Sequence, residues 1–131
     1  MATLTPKRKE QTEDERLVAN VLRIADLALG KKAKDLKTYH VAGLTVTADA
    51  LVICTATSEP QVKAVCSAIK EGMRNIGVRA IHTEGSYHDG WILIDFGDIL
   101  CHVFREEART FYDLDGLWAD APEIELDPTT S

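Results

Sequence analysis

From Asp14 onward, Leu17, Val21, Ile24, Ala25 and Ala28 recur at three- and four-residue spacing, which places them on one face of a helix running to about Gly30. Gly30 can close that helix, and Lys31, Lys32 and Lys34 lie where cations suit its negative end. Leu36–Val41 has the β-branched and aromatic content of a short strand, broken by Ala42-Gly43. Leu51–Cys54 is apolar without alternation, the pattern of a strand covered on both faces. Ser58-Glu59-Pro60-Gln61 then opens a helix: Ser58 can cap it, Pro60 fits the first turn, and Gln61 can reach back as in a capping box. Val62, Val65, Cys66, Ile69, Met73 and Ile76 share its apolar face, and Gly77 ends it. With a strand at Val78–Thr83, this predicts one βαβ unit of parallel strands with a right-handed crossover.

A turn punctuated by Gly85, Ser86, Asp89 and Gly90 leads into two apolar runs, Trp91–Phe96 and Ile99–Phe104, joined by Gly97-Asp98. Gly-Asp is a good two-residue turn for a β-hairpin. Counting outwards pairs Phe96 with Ile99, Asp95 with Leu100, Ile94 with Cys101, Leu93 with His102, Ile92 with Val103 and Trp91 with Phe104. One face then collects Ile92, Ile94, Phe96, Ile99, Cys101 and Val103, an apolar set that helices must cover. The other collects Trp91, Leu93, Asp95, Leu100, His102 and Phe104, large apolar groups mixed with a carboxylate and an imidazole. Either the C-terminal helix covers this second face, with Asp95 and His102 hydrogen-bonded inside, or it is a partly exposed docking patch. After Arg105-Glu106-Glu107 opens that helix, Ala108, Phe111, Tyr112 and Leu114 can face the sheet, and Leu117 and Trp118 extend the anchor. Residues 1–12 and 119–131 read as loose tails around a domain spanning 13–118.

The chain has 131 residues, one domain's worth. Its 21 Asp and Glu exceed its 15 Lys and Arg, for a net charge of −6, which argues against a nucleic-acid backbone as main partner. Lys7, Arg8 and Lys9 are followed by acidic residues and no apolar stretch, so the N-terminus does not read as a signal peptide. No apolar run approaches the ~18 residues of a membrane span. Cys54, Cys66 and Cys101 each sit in apolar stretches and read as buried reduced thiols. A cytoplasmic protein is expected.

Chemistry is sparse. His40, His82, His88 and His102 match no zinc spacing, and Cys101-His102 are strand neighbours pointing to opposite faces. Asp95 and Asp98 bracket the hairpin turn, and with Asp49 or Glu84 could hold Mg²⁺ for nucleotidyl transfer. The turn Thr55–Ser58 could hold a phosphate on its N–H groups, but it lacks glycine and no Walker-type lysine follows. No catalytic residue, cofactor or metal is expected from this pattern.

Thr57-Ser58-Glu59-Pro60-Gln61-Val62-Lys63-Ala64, Glu84-Gly85, Trp91–Ile99, His102-Val103-Phe104, Glu107, Arg109, Phe111-Tyr112, Leu114, Leu117-Trp118 and Asp120-Ala121 occur in an order that resembles the ribosomal silencing factor (RsfS, or Iojap) family, over residues 14 to 122. The resemblance implies a mixed α/β domain of about five strands, similar in topology to nucleotidyltransferases but without their active site. Thr57-Ser58 stands where that superfamily has Gly-Ser, and Asp95 and Asp98 are too far apart in the chain to form its D-x-D pair. The chain also departs from the silencing-factor pattern: His40 replaces a frequent Asp, Ala50-Leu51 an aromatic pair, and Cys101 an aliphatic residue. Family members bind large-subunit ribosomal protein fourteen, block joining of the small subunit and silence translation when nutrients are scarce. Bacterial members are cytoplasmic and commonly dimerise, and organellar relatives act in ribosome biogenesis. By this resemblance the docking reading of the mixed face is favoured, with Trp91 and Leu93 as chief contacts, Asp95 and His102 as polar partners, and Leu100 and Phe104 beside them. The acidic charge then selects a basic ribosomal protein over RNA. The alternatives are a nucleotidyltransferase-like enzyme using Asp95 and Asp98 with Mg²⁺, or a factor in large-subunit maturation.

Overall fold

An apolar run without alternation has to be covered on two sides. In the computed structural model, which describes residues 12–126, that run becomes strand β2 (Ala50–Ala56), buried at every position. Helix α1 (Glu13–Gly30) and strand β1 (Lys34–His40) precede it, and helix α2 (Glu59–Arg74) follows. The chain continues through β3 (His82–Ser86), β4 (Trp91–Asp95) and β5 (Ile99–Arg105) to two short helices, α3 (Glu106–Tyr112) and α4 (Leu114–Leu117). The strands form one mixed sheet in the order β1-β2-β5-β4-β3. Only β2 and β5 pair in parallel; every other pairing is antiparallel. This is the mixed five-stranded α/β architecture with flanking helices that the sequence predicts.

Helices α1 and α2 cover the inner face. The five α1 residues picked out by spacing are its five buried ones, and Thr12 caps the helix through a reciprocal bond with Glu15. In α2, Val62, Val65, Cys66, Ile69 and Met73 are buried, whereas Ile76 lies past the helix end and is half-exposed. Ser58 caps α2, and Gln61 reaches back to Thr57 while donating to the carbonyls of Lys31 and Lys32. One side chain thus joins the end of α1 to the start of α2. The three thiols lie in or beneath this layer, buried and unpaired, and burial pushes Cys54 and Cys66 up to about 12.

The predicted βαβ unit holds in strand direction but not in its bounds. β2 and β3 do run the same way, but β5 and β4 lie between them, so the two strands are not neighbours. The parallel partner of β2 is the second arm of the hairpin. β3 also starts later than predicted. The Val78 N–H donates to the Met73 carbonyl and closes α2, with Gly77 left-handed at φ +87°, so residues 78–81 are not strand. Gly85 and Ser86, read as turn residues, are the end of β3, and the turn itself occupies Tyr87–Gly90.

The C-terminal segment also departs from expectation. Residues 119–126 are not a loose tail: Ala121 and Ile124 are buried, and Glu123 bridges to Tyr39. The His40 N–H donates to the Pro122 carbonyl, the Ile124 N–H to the Thr38 carbonyl, and the Thr38 hydroxyl to the Ile124 carbonyl. A short extended piece therefore closes the β1 edge, whose backbone groups would otherwise be unpaired. The rest of the two expected tails, 1–11 and 127–131, lies outside the described residues.

Gly85 has φ +103°, and a Cβ there would meet the Trp91 carbonyl oxygen at 2.1 Å. Gly43 has a comparable φ of +83° with open space around it. Gly85→Ala is therefore expected to cost about 2 kcal/mol or more, and Gly43→Ala about 1 kcal/mol, in urea unfolding. Equal losses at the two sites would show that the β3–β4 approach is not tight.

Candidate functional site

The hairpin register in the structure is the one obtained by counting outwards from Gly97-Asp98: Trp91 faces Phe104, Leu93 faces His102 and Asp95 faces Leu100. Ile92, Ile94, Phe96, Ile99, Cys101 and Val103 all lie in the inner core. The outer face is divided. Tyr39, Val41, Leu51, Ile53 and Phe104 form a second core under Ala108, Leu114, Trp118 and Ala121, so α3, α4 and the segment after them cover the β1–β2–β5 half. The β4–β3 half stays open. Leu93 and Asp95 are half-buried there, with Trp91 on β4 and Leu100 on β5 half-buried at its border against the second core, and pairing across β3 and β4 adds His82 beside Asp95 and Glu84 beside Leu93.

Phe104 was expected among the contact residues. It is fully buried, stacked beneath Trp91 at 5.1 Å between centroids, so it floors the patch and offers no surface. His102 is only 7% exposed. Its Nδ1 accepts a hydrogen bond from the Trp91 indole N–H at 3.1 Å, which requires that nitrogen to be unprotonated. Burial lowers the His102 pKa to about 4, so the ring is neutral at pH 7 and locks the Trp91 orientation. Asp95 accepts from the Gly97 N–H at 2.7 Å, and its other oxygen lies 3.6 Å from His82 Nδ1. His82 in turn is 2.8 Å from Glu84. The open face is therefore apolar at its centre and acidic along its β3 side.

Arg109 fixes how far the cover extends. Its guanidinium makes a bidentate pair with Asp115 at 2.9 and 3.0 Å, and donates to the Thr55 hydroxyl on β2 at 2.8 Å and to the Asp35 carbonyl on β1. Asp35 sits at a register shift in β1 with φ +53°, which turns its carbonyl toward Arg109. The Arg109 guanidinium holds the Asp115 carboxyl below its ordinary value.

Asp95 and Asp98 do not converge. Asp95 faces the open patch, while Asp98 lines a separate cleft with Glu13, Asp14, His40 and Asp49. Among the described residues no three His, Cys, Asp or Glu side chains are placed to hold a metal ion, and no helix is long and apolar enough to cross a membrane.

Comparison with known proteins identifies the architecture. The family described as "Ribosomal silencing factor during starvation" (RsfS) matches residues 12–131. The chain belongs to this family. It is 37% identical over 101 residues to the ribosomal silencing factor RsfS of Halalkalibacterium halodurans, covering 77% of this chain and 86% of that protein. It is 36% identical over 109 residues to RsfS of Bacillus subtilis, covering 82% and 92%. A crystal structure of a Bacillus halodurans protein superposes with a TM-score of 0.70 at 31% identity, covering 85% of this chain and 98% of that one.

On this RsfS fold, sequence reasoning missed three surface residues. Phe111 is 79% exposed, Leu117 70% and Tyr112 46%, although all were expected to anchor the helix on the sheet. Asp113 adopts φ +50°, splitting the segment into helices of 7 and 4 residues. Such short helices cannot turn Phe111, Tyr112, Leu114, Leu117 and Trp118 all inward. An Asp flanked by apolar residues was the available signal, since Asp tolerates the left-handed region.

The His102 environment sets a pH dependence. The unfolded chain protonates near the ordinary 6.5 and the folded one near 4, so this stability is complete above pH 6.5 and falls as pH drops toward 4. The loss across that window should be on the order of 3 kcal/mol. His102→Gln should flatten the profile in urea titrations at stepped pH; an unchanged profile would place the acid sensitivity elsewhere.

Proposed function

We propose that this protein is a non-enzymatic ribosomal silencing factor. It docks on a basic protein of the large ribosomal subunit, ribosomal protein fourteen, and its bulk keeps the small subunit from joining. Translation in the cytoplasm is thereby repressed when nutrients are scarce. The observation that carries this reading is the half-open outer sheet face: Trp91, Leu93 and Leu100 are presented over a fixed His102 and edged by Asp95 and Glu84. Family membership, and the names of its relatives, support the ribosomal role.

Physical chemistry favours a protein contact on this face. An aromatic anchor in a partly desolvated site is the usual hot spot of an interface. The acidic edge, in a chain of net charge −6, repels RNA phosphates and attracts Lys and Arg, which speeds encounter and discourages wrong partners. No bond is made or broken in this mechanism; occupancy alone blocks subunit joining.

Co-sedimentation with purified 50S subunits, followed by 70S assembly on adding 30S, tests the proposal. Wild-type protein should pellet with 50S and lower the 70S fraction. Trp91→Glu should fold, as checked by circular dichroism, yet bind at least about thirtyfold more weakly. A Trp91→Glu variant that blocks joining as well as wild type would place the docking face elsewhere.

A further inference from the structure

We propose that Phe111 and Leu117 form a second contact ridge beside the hairpin patch, fitted to a protein surface with an apolar depression ringed by Lys and Arg. The ridge rests on the docking reading above and extends it to α3 and α4. Phe111 packs edge-on against Tyr112 at 5.0 Å, and Tyr112 lies 4.3 Å from Trp91, so the exposed ring is continuous with the hairpin face. Isolated exposed apolar side chains are ordinary, but Phe111 joins a contiguous set of rings, and Leu117 stands exposed on α4, which the Arg109–Asp115 pair ties to α3.

Charge around the ridge selects the occupant. Glu107 lies one helical turn before Phe111, Asp113 two residues after it, and Asp120 three residues past Leu117. Lys34 pairs with Glu106, and Arg109 pairs with Asp115. Glu107 and Asp120 have no ion pair among the described residues. A second copy of this chain would bring like carboxylates together, and a nucleic-acid backbone would add phosphates to them; a basic protein surface relieves both. The ridge is also pre-formed. The Asp113 side chain accepts from the Gly116 N–H at 3.0 Å, and the Arg109–Asp115 pair ties both helices to the sheet, so little ordering cost is left for binding.

The test titrates purified 50S subunits with wild type, Trp91→Glu, Glu107→Lys and the double variant Phe111→Ser, Leu117→Ser, with sedimentation velocity of each free protein. The double variant removes exposed side chains only, so its melting temperature should match wild type. It should bind 50S at least about tenfold more weakly, and Glu107→Lys should weaken binding most at low salt. If the double variant binds like wild type while Trp91→Glu does not, the ridge is idle and the docking reading stands without it. If wild type itself fails to bind 50S, the docking reading falls and the ridge with it. If wild type self-associates and the double variant is monomeric with unchanged 50S affinity, the ridge is a contact between copies and the proposal is overturned.

Discussion

Because side chains alternate along a strand, a hairpin slipped by one residue would turn its whole apolar set outward and its mixed set inward. The two-residue connection at Gly97-Asp98 prevents this. Gly97 takes φ +97°, and the Phe96 N–H donates to the Ile99 carbonyl, which sets every pair up to Trp91 and Phe104. The same turn also starts the central strand, since the Asp98 carbonyl accepts from the Asp49 and Ala50 N–H groups. Parallel pairing of β2 with β5 begins at that point, with Ala50 opposite Ile99. Inner core, sheet centre and outer patch therefore depend on one turn. Asp95 belongs to it as well: one of its oxygens holds the Gly97 N–H, and the other faces the open patch.

A second constraint decides which part of the outer face stays open. Arg109 is nearly enclosed, at 13% side-chain exposure, and its donors reach α4, β1 and β2 at once. A paired charge of this kind contributes little net stability compared with an apolar substitute, whereas removing one partner strands the other. Its consequence here is positional. By tying α3 and α4 over β1, β2 and β5, it leaves the outer face of β4 beyond Trp91, and that of β3, uncovered. The patch is open because the lid is short and held to one side.

Local chemistry was legible in the sequence. The helix faces, the hairpin turn, its register and the double burial of Leu51–Cys54 rest on period and turn residues within a dozen positions. The misreadings concern non-local pairing. Strand, helix and strand in succession predicted the shared direction of β2 and β3, but nothing within residues 51–83 records that β4 and β5 will insert between them. Burial of Phe104 depends on Leu114 and Trp118 arriving from further along the chain. The capture of Ala121 to Ile124 by β1 depends on backbone hydrogen bonds, which leave no trace in side-chain pattern. The candidate site was thus half legible: its strand residues followed from alternation, while Phe111 and Leu117 became visible only once Asp113 was seen to break the helix.

A docking surface for a basic protein needs two properties that oppose each other. The acidic groups must stay hydrated to act at a distance, while the apolar groups must be dry and rigid to hold the partner once it arrives. The sheet separates these demands in space. His102, neutral and buried, fixes Trp91 from below through a hydrogen bond that carries no charge, so a centre of large rings is oriented without placing an ion beneath it. Glu84 and Asp95 sit on the neighbouring positions toward the β3 edge. A charged residue in place of His102 would bring its desolvation cost beneath the centre of the patch. Neutral support below and acidic groups at the side suit one small face to both tasks, as the proposed docking requires.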